Sequence, residues 1–229
     1  MASKKSICAE KIIKILLEEQ PEARCTLNFV TDWQLLFAAI LASQCTDERV
    51  NIITERMFRE WPDLTYYRDA TLAEVEEMVR TCGLYRMKAK SIKGSAEILL
   101  NEYEGQVPSE HKQLLALPGV GQKIANLLQG ELFAKPAMVV DTHCGRIARL
   151  LGLSKAKTAK GVEKDLCKYV PQEYWVVWGH HMVELGRTVC QARCRKCLSC
   201  PVREHCAYAE KNADLLAENA LKGELDACC

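Results

Sequence analysis

Several things are scarce in this chain, and each scarcity excludes something. Glycine and proline together make up 19 of 229 residues, below the roughly 12% of an average protein, while Ala, Leu, Glu and Lys are abundant, so the composition leans helical. No uncharged run of about 18 apolar residues occurs, which excludes a membrane-spanning helix. The first twenty residues are interrupted by Lys4, Lys5, Glu10, Lys11, Lys14, Glu18 and Glu19, so a secretory leader is not expected and the cytosol is the expected compartment. Charge of one sign is also lacking: 31 Lys and Arg face 30 Asp and Glu, and net charge by itself announces no nucleic-acid partner. Strand-like alternation, internal repeats and low-complexity stretches are absent. What remains is a chain long enough for one or two domains with a sizeable core, expected to be all-α.

Cysteine, by contrast, is plentiful, with 13 residues. An odd number without a leader argues against a disulfide framework and for reduced thiols, some of them metal ligands. Five fall within 17 residues: Cys190, Cys194, Cys197, Cys200 and Cys206. The set Cys190-x6-Cys197-x2-Cys200-x5-Cys206 supplies four thiolates, enough for a cubane iron–sulfur cluster or a tetrahedral zinc, although the long first gap is unusual for a zinc ribbon. Cys194 is a fifth thiol that could compete. Arg187, Arg193, Arg195, Lys196 and Arg203 lie between Glu184 and Glu204 with no acid among them, a pattern suited to phosphate contacts.

Apolar residues recur at helical spacing from Ile12, Ile13, Leu16 and Leu17 onward, the first stripe ending at Gln20-Pro21. Thr31-x-x-Gln34 and Thr71-x-x-Glu74 read as capping boxes, in which side chain and backbone satisfy each other's free groups at a helix start. They predict helices over 32–43 and 72–81. Further helices are predicted over 47–61, 87–103, 110–117 with Ser109 as N-cap, from Gln122 onward, and over 158–169 and 172–187. His180, His181, Trp175 and Trp178 read as helix packing, and His111 as solvated.

Leu117-Pro118-Gly119-Val120-Gly121 lies between two of these helices. Gly119 and Gly121 leave backbone N–H groups, Val120's included, free to approach a phosphate at the positive end of the next helix, which is sequence-independent DNA binding. Lys123 sits in that helix's first turn, where the helix charge and partial burial would disfavour the ammonium and free the amine to attack carbon. Met138-Val139-Val140-Asp141-Thr142-His143 puts a carboxylate after an apolar run, either as a helix N-cap, as a functional acid, or as both. His143 is better suited to a backbone or phosphate contact than to general-base work.

The cysteine spacing, the stretch from Leu117 to Asn126 and the run Val140-Asp141-Thr142-His143 together resemble the endonuclease III family, DNA glycosylases of the helix-hairpin-helix superfamily. The resemblance runs from about Ile12 to Tyr208. It implies a [4Fe–4S] cluster on Cys190, Cys197, Cys200 and Cys206, holding a loop whose basic residues Arg193, Arg195 and Lys196 face DNA. Lys123 then falls on the nucleophilic lysine and Asp141 on the essential aspartate. Gln44, in Leu41-Ala42-Ser43-Gln44, matches the residue that fills the gap left by a flipped nucleotide, and Leu84, in Gly83-Leu84-Tyr85, the wedge that enters the stack. The implied architecture is a six-helix barrel over 25–136 and a discontinuous cluster domain over 1–24 and 137–209, with DNA in the cleft and a polar tail over 210–229 that ends in Cys228-Cys229. The implied partner is double-stranded DNA carrying damaged pyrimidines or abasic sites, bound by a monomer in the cytoplasm, at the nucleoid.

The implied activity is removal of oxidised pyrimidines through a lysine Schiff base, followed by nicking through β-elimination. A monofunctional mismatch or adenine glycosylase and a non-catalytic iron–sulfur DNA-binding module are the rival readings. Gln122 stands where relatives often carry a cation, and Cys45 and Cys144 put thiols beside the expected site. Balanced net charge hides two acid-free basic windows: Arg80, Arg86, Lys88, Lys90 and Lys93, and Arg146, Arg149, Lys155, Lys157 and Lys160. Each adjoins an expected DNA element.

Overall fold

The computed structural model describes residues 3–221, and their regular structure is helical apart from one isolated antiparallel bridge between Cys190 and Arg195. The chain divides into two compact units, Cys25–Lys135 and the discontinuous pair Met1–Arg24 with Pro136–Cys229. Helix α1 (Lys4–Glu19) belongs to the discontinuous unit.

Seven helices build the continuous unit, where six are expected: α2 (Asp32–Leu41), α3 (Asp47–Glu60), α4 (Leu64–Asp69), α5 (Leu72–Met78), α6 (Tyr85–Glu102), α7 (His111–Ala116) and α8 (Gln122–Phe133). From Leu35 to Leu41 every residue of α2 is buried, as befits a helix that is apolar nearly all round and surrounded by others. Helix α6 packs on α2, α4 and α5, while α8 packs on α2 and α7. Trp33, Phe37, Phe58, Trp61 and Tyr67 meet edge-on or tilted, with ring centres 5.1–5.6 Å apart, and the Tyr67 hydroxyl donates to the carbonyls of Met57 and Trp61. Such pairs add about 0.5–1.5 kcal/mol each beyond burial alone.

Both capping signals work locally. Glu74 accepts from the Thr71 amide at 2.7 Å while Thr71 Oγ1 accepts from the Glu74 amide, and Gln34 accepts from the amides of Val30 and Thr31. Ser109 is not the N-cap of α7; Glu110 is. The Ser109 carbonyl and hydroxyl are taken instead by Lys135 Nζ, at 2.9 and 3.3 Å.

In the discontinuous unit α1 is followed by α9 (Thr142–Leu150), α10 (Ala159–Tyr169) and α11 (Trp175–Thr188), the last entered through a 3-10 turn at Gln172–Tyr174. Ile12, Ile13 and Leu16 pack into a core with Ile147, Leu166, Trp178 and Met182. Beyond α11 the chain breaks into 3-10 turns at Cys197–Ser199 and Arg203–His205, then α12 (Ala207–Lys211) and α13 (Ala213–Leu221). The segment expected to be a polar tail is thus helical as far as Leu221, because Leu216 supplies a buried anchor; Cys228 and Cys229 lie outside the described residues. Within this unit Trp178 and His181 are buried, as packing residues should be.

Candidate functional site

In the continuous unit, the hairpin between α7 and α8 is built on one left-handed residue. Gly119 has φ +80°, and a β-carbon there would come within 2.8 Å of the Ser91 side chain of α6. Pro118 is held from the same helix, its carbonyl accepting from Ser95 Oγ at 3.2 Å. Gly121 is extended, caps α8 and has open space where a side chain would stand. The turn is therefore pressed onto α6 on one side and bare on the other, which leaves the Gly119 and Gly121 N–H groups and the α8 N-terminus open to an anion. The Val120 N–H, expected to be free, is not: Val120 is buried and donates to the Leu117 carbonyl at 3.1 Å, closing the turn on itself.

Lys123 stands in the first turn of α8 and is exposed. The partial burial expected for it is absent: Asn126 and Ala125 take the buried side of α8, which turns position 123 outward. His111 is not solvated either. Its Nε2 pairs with Asn126 Oδ1 at 3.2 Å, and Gln122 Nε2 donates to the same oxygen at 3.3 Å, so Gln122 spends its amide on the hairpin's own scaffold.

Gln44 and Leu84 are both held in left-handed backbone, at φ +53° and +59°. Non-glycine residues rarely adopt that region, and such strain clusters at ligand clamps and switch regions. Leu84 is 51% exposed although it is apolar, and it opens α6 as its N-cap. The two turns lie side by side, since a β-carbon on Gly83 would sit 3.5 Å from the Gln44 carbonyl oxygen. The basic window around them is thinner than the sequence suggests. Lys88 is buried with its amine on the Leu41 carbonyl, Lys93 donates to the carbonyls of Arg68 and Ala70, and Arg80 pairs with Glu77. Arg86 and Lys90 stay exposed.

In the discontinuous unit Asp141 caps α9, its Oδ1 accepting from the Cys144 amide at 2.7 Å. The carboxylate is half-buried, and its second oxygen has no hydrogen-bond partner among the described residues. Cys144 itself is fully buried, and burial pushes its thiol up, with Asp141 adding to the effect. His143 packs against Gly186 of α11, where a β-carbon would collide with the imidazole ring, and its Nδ1 pairs with Arg146 at 3.3 Å. Arg146, counted in the sequence only as one of a basic window, turns inward. Its guanidinium donates to the Cys190 carbonyl at 2.6 Å and approaches the Cys190 sulfur at 3.6 Å. Its spacing from His143, three residues along one helix, signals the pairing with His143 but not the contact with Cys190.

Cys190, Cys197, Cys200 and Cys206 border one small cavity of about 20 Å³, walled also by Leu150, Val189, Arg195 and Tyr208. Burial pushes the Cys200 thiol up to about 11, and raises Cys190 against the pull of Arg146 and Arg195. Uncharged thiols in such a place are what a bound metal centre would have to deprotonate. Among the described residues no three His, Cys, Asp or Glu side chains converge on a single-ion site. Of the loop cations, Arg193 is exposed, whereas Arg195 is half-buried with its guanidinium over the Tyr208 ring and on the cavity wall. Lys196 is tied through its backbone to Val189. The cations thus divide between facing out and closing the cysteine cavity.

Residues 37–172 match the family model described as HhH-GPD superfamily base excision DNA repair protein. The chain is 41% identical over 211 residues to endonuclease III of Synechocystis sp., covering 92% of this chain and 96% of that protein. It is 35% identical to endonuclease III of Escherichia coli K12 over 201 residues, 88% of this chain and 95% of that one. Among solved structures it is similar to one titled as a trapped endonuclease III–DNA covalent intermediate, with a TM-score of 0.85, 36% identity, and coverage of 93% of this chain and all of that one.

Proposed function

The chain belongs to the endonuclease III family of the HhH-GPD superfamily of base excision DNA repair proteins, and from that premise we propose that it is a bifunctional DNA glycosylase and AP lyase. It removes oxidised pyrimidines from duplex DNA and cuts the strand 3′ to the abasic site. The observation that carries this reading is Lys123, exposed in the first turn of α8 directly behind the Gly119 turn.

A damaged base must leave the stack before its C1′ can be attacked, at a cost of a few kcal/mol. Leu84 wedges into the stack, and Gln44 fills the gap. The N–H groups of Gly119 and Gly121, with the α8 N-terminus, hold a backbone phosphate, and Arg193, Lys196 and Arg195 serve the loop's phosphate contacts. His143 contacts phosphate or backbone while Arg146 orients its ring.

The Lys123 amine forms a bond to C1′ as the bond from C1′ to the base breaks and its electron pair leaves with the base. Lys123 is exposed in the free protein, so DNA laid over the hairpin supplies the exclusion of water that favours an uncharged amine. Asp141 stabilises positive charge developing on the sugar and moves protons to and from the lysine, using the oxygen that the helix cap leaves unused. Once the opened sugar is an imine, its C2′ proton is acidic, and loss of that proton expels the 3′ phosphate.

The four cysteines fit a [4Fe–4S] cluster: all donors are thiols, they share one cavity, and no carboxylate lines it. When bound, the cluster cross-links a loop that has only short 3-10 turns of its own. Loop residues then present Arg193 outward while Arg146 fixes the first ligand to α9. The protein is expected to act as a cytoplasmic monomer on nucleoid DNA, and among its described residues no helix is long and apolar enough to cross a membrane.

A panel of duplexes carrying thymine glycol, an abasic site or an adenine mispair tests the reading. Release of thymine glycol with cutting of the abasic duplex is expected. Adenine release without strand cutting, or a gel shift without either reaction, would overturn it.

A further inference from the structure

Two thiols and a buried amine that the mechanism does not use lie at the root of the Gln44 and Leu84 turns. Cys82 is 1% exposed, two residues before Leu84, and its sulfur contacts the Leu41 carbonyl at 3.3 Å. Lys88, 4% exposed on the first two turns of α6, donates to that same carbonyl at 2.8 Å and to the Cys82 sulfur at 3.0 Å. Cys45 directly follows Gln44, its amide bonded to the Ala42 carbonyl at the end of α2, and the Gln44–Cys45 turn lies against the Cys82–Gly83 turn, where a β-carbon on Gly83 would sit 3.5 Å from the Gln44 carbonyl oxygen. Unlike Cys82 it is only partly buried. Leu41 therefore joins the end of α2, the Cys82 turn and α6 at one point, with Cys45 on the solvent side.

We propose that Cys45 and Cys82 form an oxidation-sensitive dithiol that, on exposure to peroxide, closes to a disulfide fastening the Gln44 turn to the Leu84 turn. The Cys45 sulfur attacks one peroxide oxygen, the O–O bond breaks, and water leaves, giving a sulfenic acid at Cys45. The Cys82 sulfur, which accepts from Lys88 Nζ at 3.0 Å, then attacks the Cys45 sulfur as its own proton is lost, and the hydroxyl takes up a proton and departs as a second water. In balance, two thiols and one hydrogen peroxide give one disulfide and two waters. Burial and Cys82 push the Cys45 thiol up, while Lys88 and Arg49 pull it down. Oxidation is thus slow and needs sustained oxidant, since the thiolate is the reactive form.

The consequence rests on the roles proposed above for Gln44 and Leu84. Both already sit in left-handed backbone, and a covalent link at their base removes the freedom to move against each other as a duplex opens. The oxidised protein should therefore bind damaged duplex more weakly, reversibly on reduction.

The test treats the cluster-containing protein with hydrogen peroxide, blocks remaining thiols and maps peptides without reduction, monitoring cluster absorbance in parallel. A peptide joining Cys45 to Cys82, lighter by two hydrogens and reopened by dithiothreitol, is expected. Cys45 driven to sulfinic acid with Cys82 still free, or Cys82 joined to Lys88, would overturn the proposal. Affinity for a duplex carrying a non-cleavable abasic analogue should fall about tenfold on oxidation and recover on reduction. Cys45→Ser and Cys82→Val should each keep their affinity after peroxide, and oxidation loss in those variants equal to that of the parent would also overturn it. The peptide map does not depend on glycosylase activity, so it separates failure of this site from failure of the proposed reaction.

Discussion

The two units hold their functional groups in different ways. In Cys25–Lys135 Gln44, Leu84, Gly119, Gly121 and Lys123, proposed to meet DNA, are exposed, and what fixes them is backbone: left-handed Gln44, Leu84 and Gly119 over a core of aliphatic and aromatic side chains. In the discontinuous unit the groups are half-buried apart from Arg193, and what fixes them is contacts made by side chains: Asp141 accepting from the Cys144 amide, His143 paired with Arg146, Arg146 donating to the Cys190 carbonyl, and four cysteines around one cavity. The first arrangement is complete once the apolar core forms. The second gathers four thiols on one cavity in a loop with only short 3-10 turns, so the proposed cluster would be what cross-links it. Perturbing backbone should damage one unit, and removing a ligand the other.

The largest effect expected on this contrast comes from Cys197→Ala. Iron should fall from about four atoms per chain to less than about one, and the loop after α11 should become protease-sensitive while Cys25–Lys135 stays resistant. Equal sensitivity of both units would break the contrast. Next is Asp141→Asn, which keeps the N-cap because Asn caps as well as Asp but removes the acid. Base release should drop roughly 100-fold to 10,000-fold with denaturant stability changed by less than about 0.5 kcal/mol. A matching loss of stability would mean that Asp141 acts only as a cap.

Gly119→Ala should cost about 2–4 kcal/mol in chemical denaturation, from its left-handed backbone and the clash with Ser91. Gly121→Ala, extended and facing open space, should stay below about 1 kcal/mol. Similar costs at both glycines would contradict a hairpin that is fixed on only one side. The smallest effect is expected for Thr71→Ala, about 1 kcal/mol from the lost capping box, read as a lower denaturation midpoint with base release unchanged.

Local signals were the legible ones. Thr71-x-x-Glu74 predicts α5 because both partners lie within one turn, and the Gly119 turn is readable because the conformation belongs to the residue. Helix α4 was not expected although Asp63 caps it by accepting from the Thr65 amide; six residues give too short an apolar period to notice. Helix α9 was foreshadowed only through Asp141 as a possible cap. Lys88 and Lys93 counted as surface charge, and nothing within their own helix says that carbonyls of Leu41, Arg68 and Ala70 would draw them inward. The same distance hid Arg146's contact with Cys190, 44 residues away, and Cys82's with Leu41, 41 residues away. The cysteine spacing is legible along the chain, whereas the shared cavity depends on α9 and the turns packing together within their unit.

The central claim is that Lys123 is the nucleophile, and borohydride trapping tests it most directly. The protein is incubated with a duplex containing thymine glycol or an abasic site, reduced, and run under denaturing conditions. The account predicts a covalent protein–DNA adduct for the parent chain, mapped to Lys123, and none for Lys123→Ala. An undiminished adduct in Lys123→Ala, or one mapped to another lysine, would contradict it.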